Sequence, residues 1–218
     1  MKNMNTKLIG ILSLAVLIFT STAKAQDDKQ NNIRFGVKAG VNVSNMYTKD
    51  VDDKNTMYGF NGGLFLKIPL SENIAFQPEL LYSMKGAELK YNNTFVSGTA
   101  RFSLNYIDVP LLVVFNLSKN VNIHGGVYVA SLMNVKIKNE GTVSLFNFEN
   151  ELNKDNFETL DYGLTIGAGV DLDKISLGIR YEYGMKTVGK ENSILGQSYR
   201  FPDARNSTLQ VYLGISLL

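Results

Sequence analysis

The sequence predicts an all-β chain folded as an eight-stranded antiparallel up-and-down transmembrane β-barrel, and three observations carry that prediction. First, Ile107, Val109, Leu111, Val113 and Phe115 fall on one side of an extended strand, and Tyr106, Asp108, Pro110, Leu112, Val114 and Asn116 on the other, because successive strand side chains point to opposite faces. One face is unbroken hydrocarbon and the other is mixed, with a carboxylate in it. That pattern suits a sheet touching lipid on one side and a packed polar lumen on the other. Second, seven further stretches repeat the rule. Third, the connections alternate long, short, long, short, long, short, long, as barrels with short turns at one end and long loops at the other require.

At the N-terminus, Lys2 and Lys7 precede an apolar run over 8–19, and Ala23-Lys24-Ala25 places small residues two apart before Gln26. Residues 1–25 read as a secretory signal peptide cleaved after Ala25, leaving one barrel domain over 26–218. The alternative, a retained anchor helix, needs roughly 20 apolar residues, and the run is shorter. Cleavage removes Lys2, Lys7, Lys24 and no acid, so the formal charge falls from +2 to −1. The basic balance belongs to the precursor, and no nucleic-acid partner is expected, since that requires a clustered basic surface. The absence of cysteine excludes disulfides, thiolate metal sites, a cysteine nucleophile and a lipoprotein anchor. An exported chain without disulfides must be held by something else, and a closed sheet would do it.

In order, the first strand, 34–44, sets Phe35, Val37, Ala39, Val41 and Val43 against Arg34, Gly36, Lys38, Gly40, Asn42 and Ser44. A polar loop with Asp50, Asp52 and Asp53 follows. The second, 57–70, sets Tyr58, Phe60, Leu64, Leu66, Ile68 and Leu70 against Gly59, Asn61, Gly63, Phe65 and Lys67, and 71–73 is a tight turn. The third, 74–87, sets Ile74, Phe76, Pro78, Leu80, Tyr82 and Met84 against Gln77, Glu79, Leu81, Ser83 and Lys85; a polar loop runs over 88–99. The fourth starts near Phe102 and contains the stretch described first, closed by a turn over 118–120. The fifth, 121 to about 135, sets Val121, Ile123, Val127, Val129 and Met133 against Asn122, His124, Gly126 and Tyr128, and the longest loop spans about 136–158. The sixth, 160–172, sets Tyr162, Leu164, Ile166, Ala168 and Val170 against Asp161, Gly163, Thr165, Gly167, Gly169 and Asp171. After Asp173-Lys174, the seventh sets Ile175, Leu177, Ile179, Tyr181, Tyr183 and Met185 against Ser176, Gly178, Arg180, Glu182, Gly184 and Lys186. A loop to Asn206 precedes the eighth, 208–218, with Leu209, Val211, Leu213, Ile215 and Leu217 outward.

The competing architecture is a soluble lipocalin-like barrel, polar outside and apolar inside around a ligand. Glycines on the polar face, Gly36, Gly40, Gly59, Gly63, Gly126, Gly163, Gly167, Gly169, Gly178 and Gly184, argue against it. On a water-facing surface they would weaken strands for no gain, whereas in a narrow lumen they make room for large neighbours. Tyr58, Tyr82 and Tyr183 suit an interfacial girdle. Pro78 and Pro110 remove ladder donors inside strands, and a bulge, or a partner carbonyl satisfied from the lumen, is expected there.

The segment Tyr106-Ile107-Asp108-Val109-Pro110-Leu111-Leu112 resembles the outer-membrane β-barrel domain family common in Bacteroidetes, the PorT-like group. Phe35 to Asn42, Asp161 to Val170 and Ile179 to Met185 match it further, so the resemblance covers the mature chain. It implies an outer-membrane barrel, usually without a defined activity, of a Gram-negative bacterium; some relatives support secretion or gliding. Leu218 departs from the aromatic terminus of proteobacterial barrels. The expected partners are outer-membrane lipid and a protein reached through the extracellular loops, with the chain a monomer.

Arg34, Lys38, Lys67, Glu79, Lys85, Asp108, Asp161, Asp171, Arg180, Glu182, Lys186 and His124 are the inward candidates. Buried charges must be paired, so a lumen ion-pair network that plugs the barrel is expected; the alternative, a polar conduit, fits poorly in eight strands. For a hydrolase or acyltransferase His124 would be the base, oriented by Asp108 or Asp171, with a serine such as Ser176 attacking. No G-x-S-x-G elbow accompanies it, and a lumen histidine is expected instead. Asp50, Asp52 and Asp53 lack the glycine and distal glutamate of a calcium loop. Phe146, Phe148 and Phe157 either form a contact patch or staple the longest loop to the rim. The expected protein is non-enzymatic, without metal or cofactor, and serves a structural or surface-interaction role; the alternative is an accessory component of a secretion or gliding machine.

Overall fold

The computed structural model describes residues 33–47, 56–92, 97–141, 148–152, 157–194, 197–200 and 204–217. The expected signal peptide, Asp50, Asp52, Asp53, Phe146 and Leu218 lie outside the described residues. The strands are β1 (Arg34–Tyr47), β2 (Met57–Pro69), β3 (Ile74–Asn92), β4 (Ser97–Asn116), β5 (Val121–Gly141), β6 (Phe148–Leu152), β7 (Leu160–Leu172), β8 (Ile175–Thr187), β9 (Glu191–Ile194), β10 (Gln197–Arg200) and β11 (Arg205–Ser216). Eight of them, all but β6, β9 and β10, form an antiparallel ring in chain order. The last strand lies beside the first, from Gly36↔Ser216 to Tyr47↔Arg205. Closure leaves no row of bare N–H and C=O groups facing lipid, where each would cost several kcal/mol.

The faces are those of a barrel turned inside out relative to a soluble protein. Ile166 is 67% exposed while Arg180 is 1% exposed, the reverse of the usual ranking. On β7 and β8, Leu164, Ile166, Leu177 and Ile179 point outward and Thr165, Arg180 and Glu182 inward. Tyr58, Tyr82, Tyr162, Tyr181 and Tyr183 are exposed toward the loop end of this apolar band, and Phe115 toward the turn end, where amphipathic and aromatic rings meet an interface. At the turn end, Asp173 takes a left-handed backbone, φ 53°, which aspartate tolerates better than most residues.

Three features depart from the sequence expectation. Strands β3, β4 and β5 run to 19, 20 and 21 residues, well into the stretches expected to be loops, and β6 adds to the outer part of β5. The bulge expected at Pro78 and Pro110 is absent. The β2–β3 pairs Phe65↔Glu79 and Ile68↔Phe76 share one register, as do the β3–β4 pairs Pro78↔Leu111 and Leu81↔Asp108, with only the rungs between them missing. Each proline removes a donor, and the paired stretches on either side hold the register across the gap. The irregularity in β4–β5 comes elsewhere: Tyr106 opposes Leu132 but Asn105 opposes Asn134, so Met133 is an extra residue. Beyond it Val135 is buried and Lys136, Lys138 and Glu140 are exposed.

Candidate functional site

The inward side chains fall into layers. At the turn end, Lys67 Nζ lies 2.8 Å from Asp171 Oδ2, and Ser176 Oγ and Asn122 Nδ2 donate to the same carboxylate at 2.7 and 3.1 Å. Arg34 stays at the rim and donates to the Asp173 carbonyl at 3.3 Å.

In the next layer the Arg180 fork donates to both Glu79 oxygens at 2.8 and 2.9 Å, the bidentate geometry that a planar guanidinium favours. Lys38 Nζ and Gln77 Nε2 also donate to Glu79. The Tyr212 ring lies beneath both cations, 4.0 Å from Lys38 Nζ and 5.2 Å from the Arg180 guanidinium carbon, close enough for cation–π attraction. His124 receives Arg180 Nε at 3.5 Å on Nε2 and meets Asn122 Oδ1 at 3.1 Å with Nδ1.

The third layer centres on Lys85, 2.8 Å from Asp108 and 2.8 Å from Glu182, over the Tyr128 ring at 4.3 Å. Asp161 receives Tyr128 Oη at 3.2 Å and Asn206 Nδ2 at 2.8 Å. Above it, toward the loop end, the interior turns apolar: Leu104, Leu132, Val135, Phe157, Val188 and Ala204 pack with Tyr106 and Tyr128. The segments that bring in Phe157, Val188 and Ala204 are tied by backbone bonds from Leu132 to Thr159, Glu158 to Val188 and Val188 to Ala204, each 2.8 Å. Lys186 joins this end and pairs with Glu158 at 3.0 Å.

The large inward rings need the glycines beside them. A Cβ at Gly178 would strike the Tyr212 ring, one at Gly163 would lie 2.8 Å from the Tyr128 ring, and one at Gly167 would lie 2.5 Å from His124 Nε2. Space, not backbone freedom, selects glycine at these positions.

The structure therefore brings together Lys38, Glu79, Arg180 and His124, brings together Lys85, Asp108, Glu182 and Asp161, pairs Lys67 with Asp171, and leaves Arg34 and Lys186 at opposite ends of the barrel. Of the hydrolase alternative, Ser176 donates to Asp171, but the hydrogen bonds of His124 go to Asn122 and Arg180 rather than to either, and Asp108 pairs with Lys85. Phe157 is a staple, 6% exposed inside the apolar cluster, and Phe148 opens β6. Tyr106 lies on the inward face to which the alternation assigns it, while sequence reasoning passed over Thr208, Gln210, Tyr212 and Asn206 as lumen groups, although each shares the inward parity of its strand.

A closed eight-membered ring with hydrocarbon outside and paired charge inside defines an integral β-barrel of the bacterial outer membrane. Residues 24–188 match the model of the outer membrane protein beta-barrel domain family. The chain belongs to that family, and such barrels sit in the lipid of the Gram-negative outer membrane. Among solved structures it is similar to Neisserial surface protein A of Neisseria, at 13% identity over 84% of this chain and 97% of that one, with a TM-score of 0.50. Ail, the attachment invasion locus protein of Yersinia pestis, is 14% identical over 85% of this chain and 99% of that one, with a TM-score of 0.44. The first likeness supports the fold alone. Among curated proteins none matches the chain.

Proposed function

We propose that the protein is a non-enzymatic outer-membrane barrel with a lumen plugged by polar side chains, acting through the surface it displays outside the cell. The observation that carries this reading is the sheet formed by the outer parts of β3, β4 and β5 with β6, which runs past the apolar band at the loop end only. In outer-membrane barrels the short turns face the periplasm and the long connections face outward, which directs that sheet to the exterior. Its outer face carries charge: Arg101 lies 2.8 Å from Glu88 and 3.3 Å from Glu140, and Lys138 lies 2.8 Å from Glu140. A plugged lumen is supported by the Arg180 and Lys85 layers, since eight strands leave an interior only wide enough for side chains. A signal peptide over 1–25, cleaved near Ala25, supplies export, and the working unit is a monomer.

The test is to shorten the β3–β4 hairpin, joining Gly86 to Ser103 through a two-residue turn. The display reading expects an intact barrel, unchanged secretion and altered binding of whole cells to surfaces, with no conductance in planar bilayers before or after. A stable conductance of the unaltered protein would overturn the plugged lumen. Loss of secreted proteins or of gliding would favour the second reading, an accessory component of such a machine, which rests on the PorT-like resemblance of Tyr106 to Leu112.

A further inference from the structure

The deep lumen does not balance its own charge. Among the described residues, the buried charged side chains are the cations Lys38, Lys85 and Arg180 and the carboxylates Glu79, Asp108, Asp161 and Glu182. His124 adds none, because its Nε2 accepts from Arg180 and its Nδ1 is left to donate to Asn122. One negative charge is in excess. The third layer, where Lys85 alone faces Asp108, Glu182 and Asp161, is two negative charges in excess, and the adjoining layer, where Arg180 and Lys38 share Glu79, is one positive charge in excess, which leaves the net of one.

A second observation points to the same layer. Glu182 Oε1, Asp161 Oδ1, Asp108 Oδ1, Thr165 Oγ1, Thr208 Oγ1 and Asn206 Oδ1 are buried without a hydrogen-bond partner, and among the described residues these oxygens outnumber the one unpartnered amide donor on the same inward face, Gln210 Nε2. Thr165 and Thr208 stand directly opposite Glu182 on its two neighbouring strands. All three side chains turn inward, at 3%, 1% and 1% exposure. Buried polar atoms of folded proteins nearly always find a partner. A group of bare oxygens with surplus negative charge is completed by a hard cation, which takes oxygen ligands.

We propose that this layer binds one small monovalent cation, of the sodium or potassium kind, held by the Glu182 carboxylate and the hydroxyls of Thr165 and Thr208. A single positive charge cancels the excess. A divalent ion would overshoot the net of the two layers, and among the described residues no cluster of three or more His, Cys, Asp or Glu side chains is arranged to hold a metal. The apolar cluster lies on one side of the layer and the Arg180–Glu79–Lys38 group on the other, so the ion enters as the barrel closes and exchanges slowly afterwards. An ion in the lumen is independent of what the outer sheet binds.

The test is to refold the purified protein from urea into detergent micelles in sodium, potassium or choline chloride at equal ionic strength. The readout is the temperature at which the compact band of an unboiled gel is lost. Sodium or potassium should raise that midpoint by roughly 5 °C over choline. The double variant Thr165→Val, Thr208→Val should erase the difference, as should Glu182→Gln, which serves if the double variant forms no compact band. Equal midpoints in the three salts overturn the proposal, as does an alkali effect that survives both variants. A midpoint that follows pH and ignores the alkali cation also overturns it and makes a proton the balancing charge.

Discussion

At the residue scale, space and charge inside the ring make opposite demands on similar substitutions. Gly178 faces the Tyr212 ring, and Gly62 faces the lipid side with nothing nearer to a Cβ than the Lys38 carbonyl at 3.6 Å. Gly178→Ala should therefore lower stability by about 1–3 kcal/mol through overpacking. Gly62→Ala should raise it by about 0.5 kcal/mol, because glycine is the costlier strand residue; urea unfolding in micelles compares the two. Charge is graded by depth in the same way. Glu79→Gln strands Arg180 and Lys38 in a fully buried layer and should cost about 3–5 kcal/mol. Lys67→Met breaks a pair whose side chains are 13% and 16% exposed, and solvent screening there should hold the loss to about 1 kcal/mol. Similar losses from both variants would show that the Arg180 layer is better hydrated than its burial implies.

At the element scale, the extra residue in β5 sets which side chains meet lipid. With Met133 in place, Leu132 and Val135 both face inward and Lys136 and Lys138 face out. Deleting Met133 converts Leu132, Asn134, Val135 into a regular alternation with the same faces, so the barrel should form and keep its heat-dependent gel shift. Deleting Val127, in the regular part of β5, shifts one side of the strand by a residue and turns its inward set outward; no compact band should survive. A compact band for both, or for neither, would contradict this account of the bulge. The two prolines make the complementary point, since they remove rungs without adding a residue and leave every face unchanged.

At the scale of the whole molecule, the apolar belt of a closed ring commits the protein to lipid. Membrane fractionation should place it in the outer membrane, and samples run with and without boiling should migrate differently, since the ring has no edge from which detergent can unzip it. Recovery as a soluble periplasmic protein with no shift would contradict the inside-outside assignment of every strand. The alternation that underlies this was legible in the chain, because a strand repeats every two residues and lipid and lumen stamp opposite chemistry on consecutive positions. Inward glycines were legible for the same reason, as was the topology, from the alternation of loop lengths. The reach of β3, β4 and β5 was not, because their outer halves are polar outside the bilayer and share the composition of loops. Nor was the bulge: Val135 and Ile137 keep the odd-numbered apolar rhythm of Val127, Val129 and Met133, and only pairing with β4 turns them from the lipid side to the interior. The partners of the lumen charges lay out of reach as well. Glu79 and Arg180 stand 101 residues apart in the chain, and their pairing follows from ring closure and register, which no local pattern encodes.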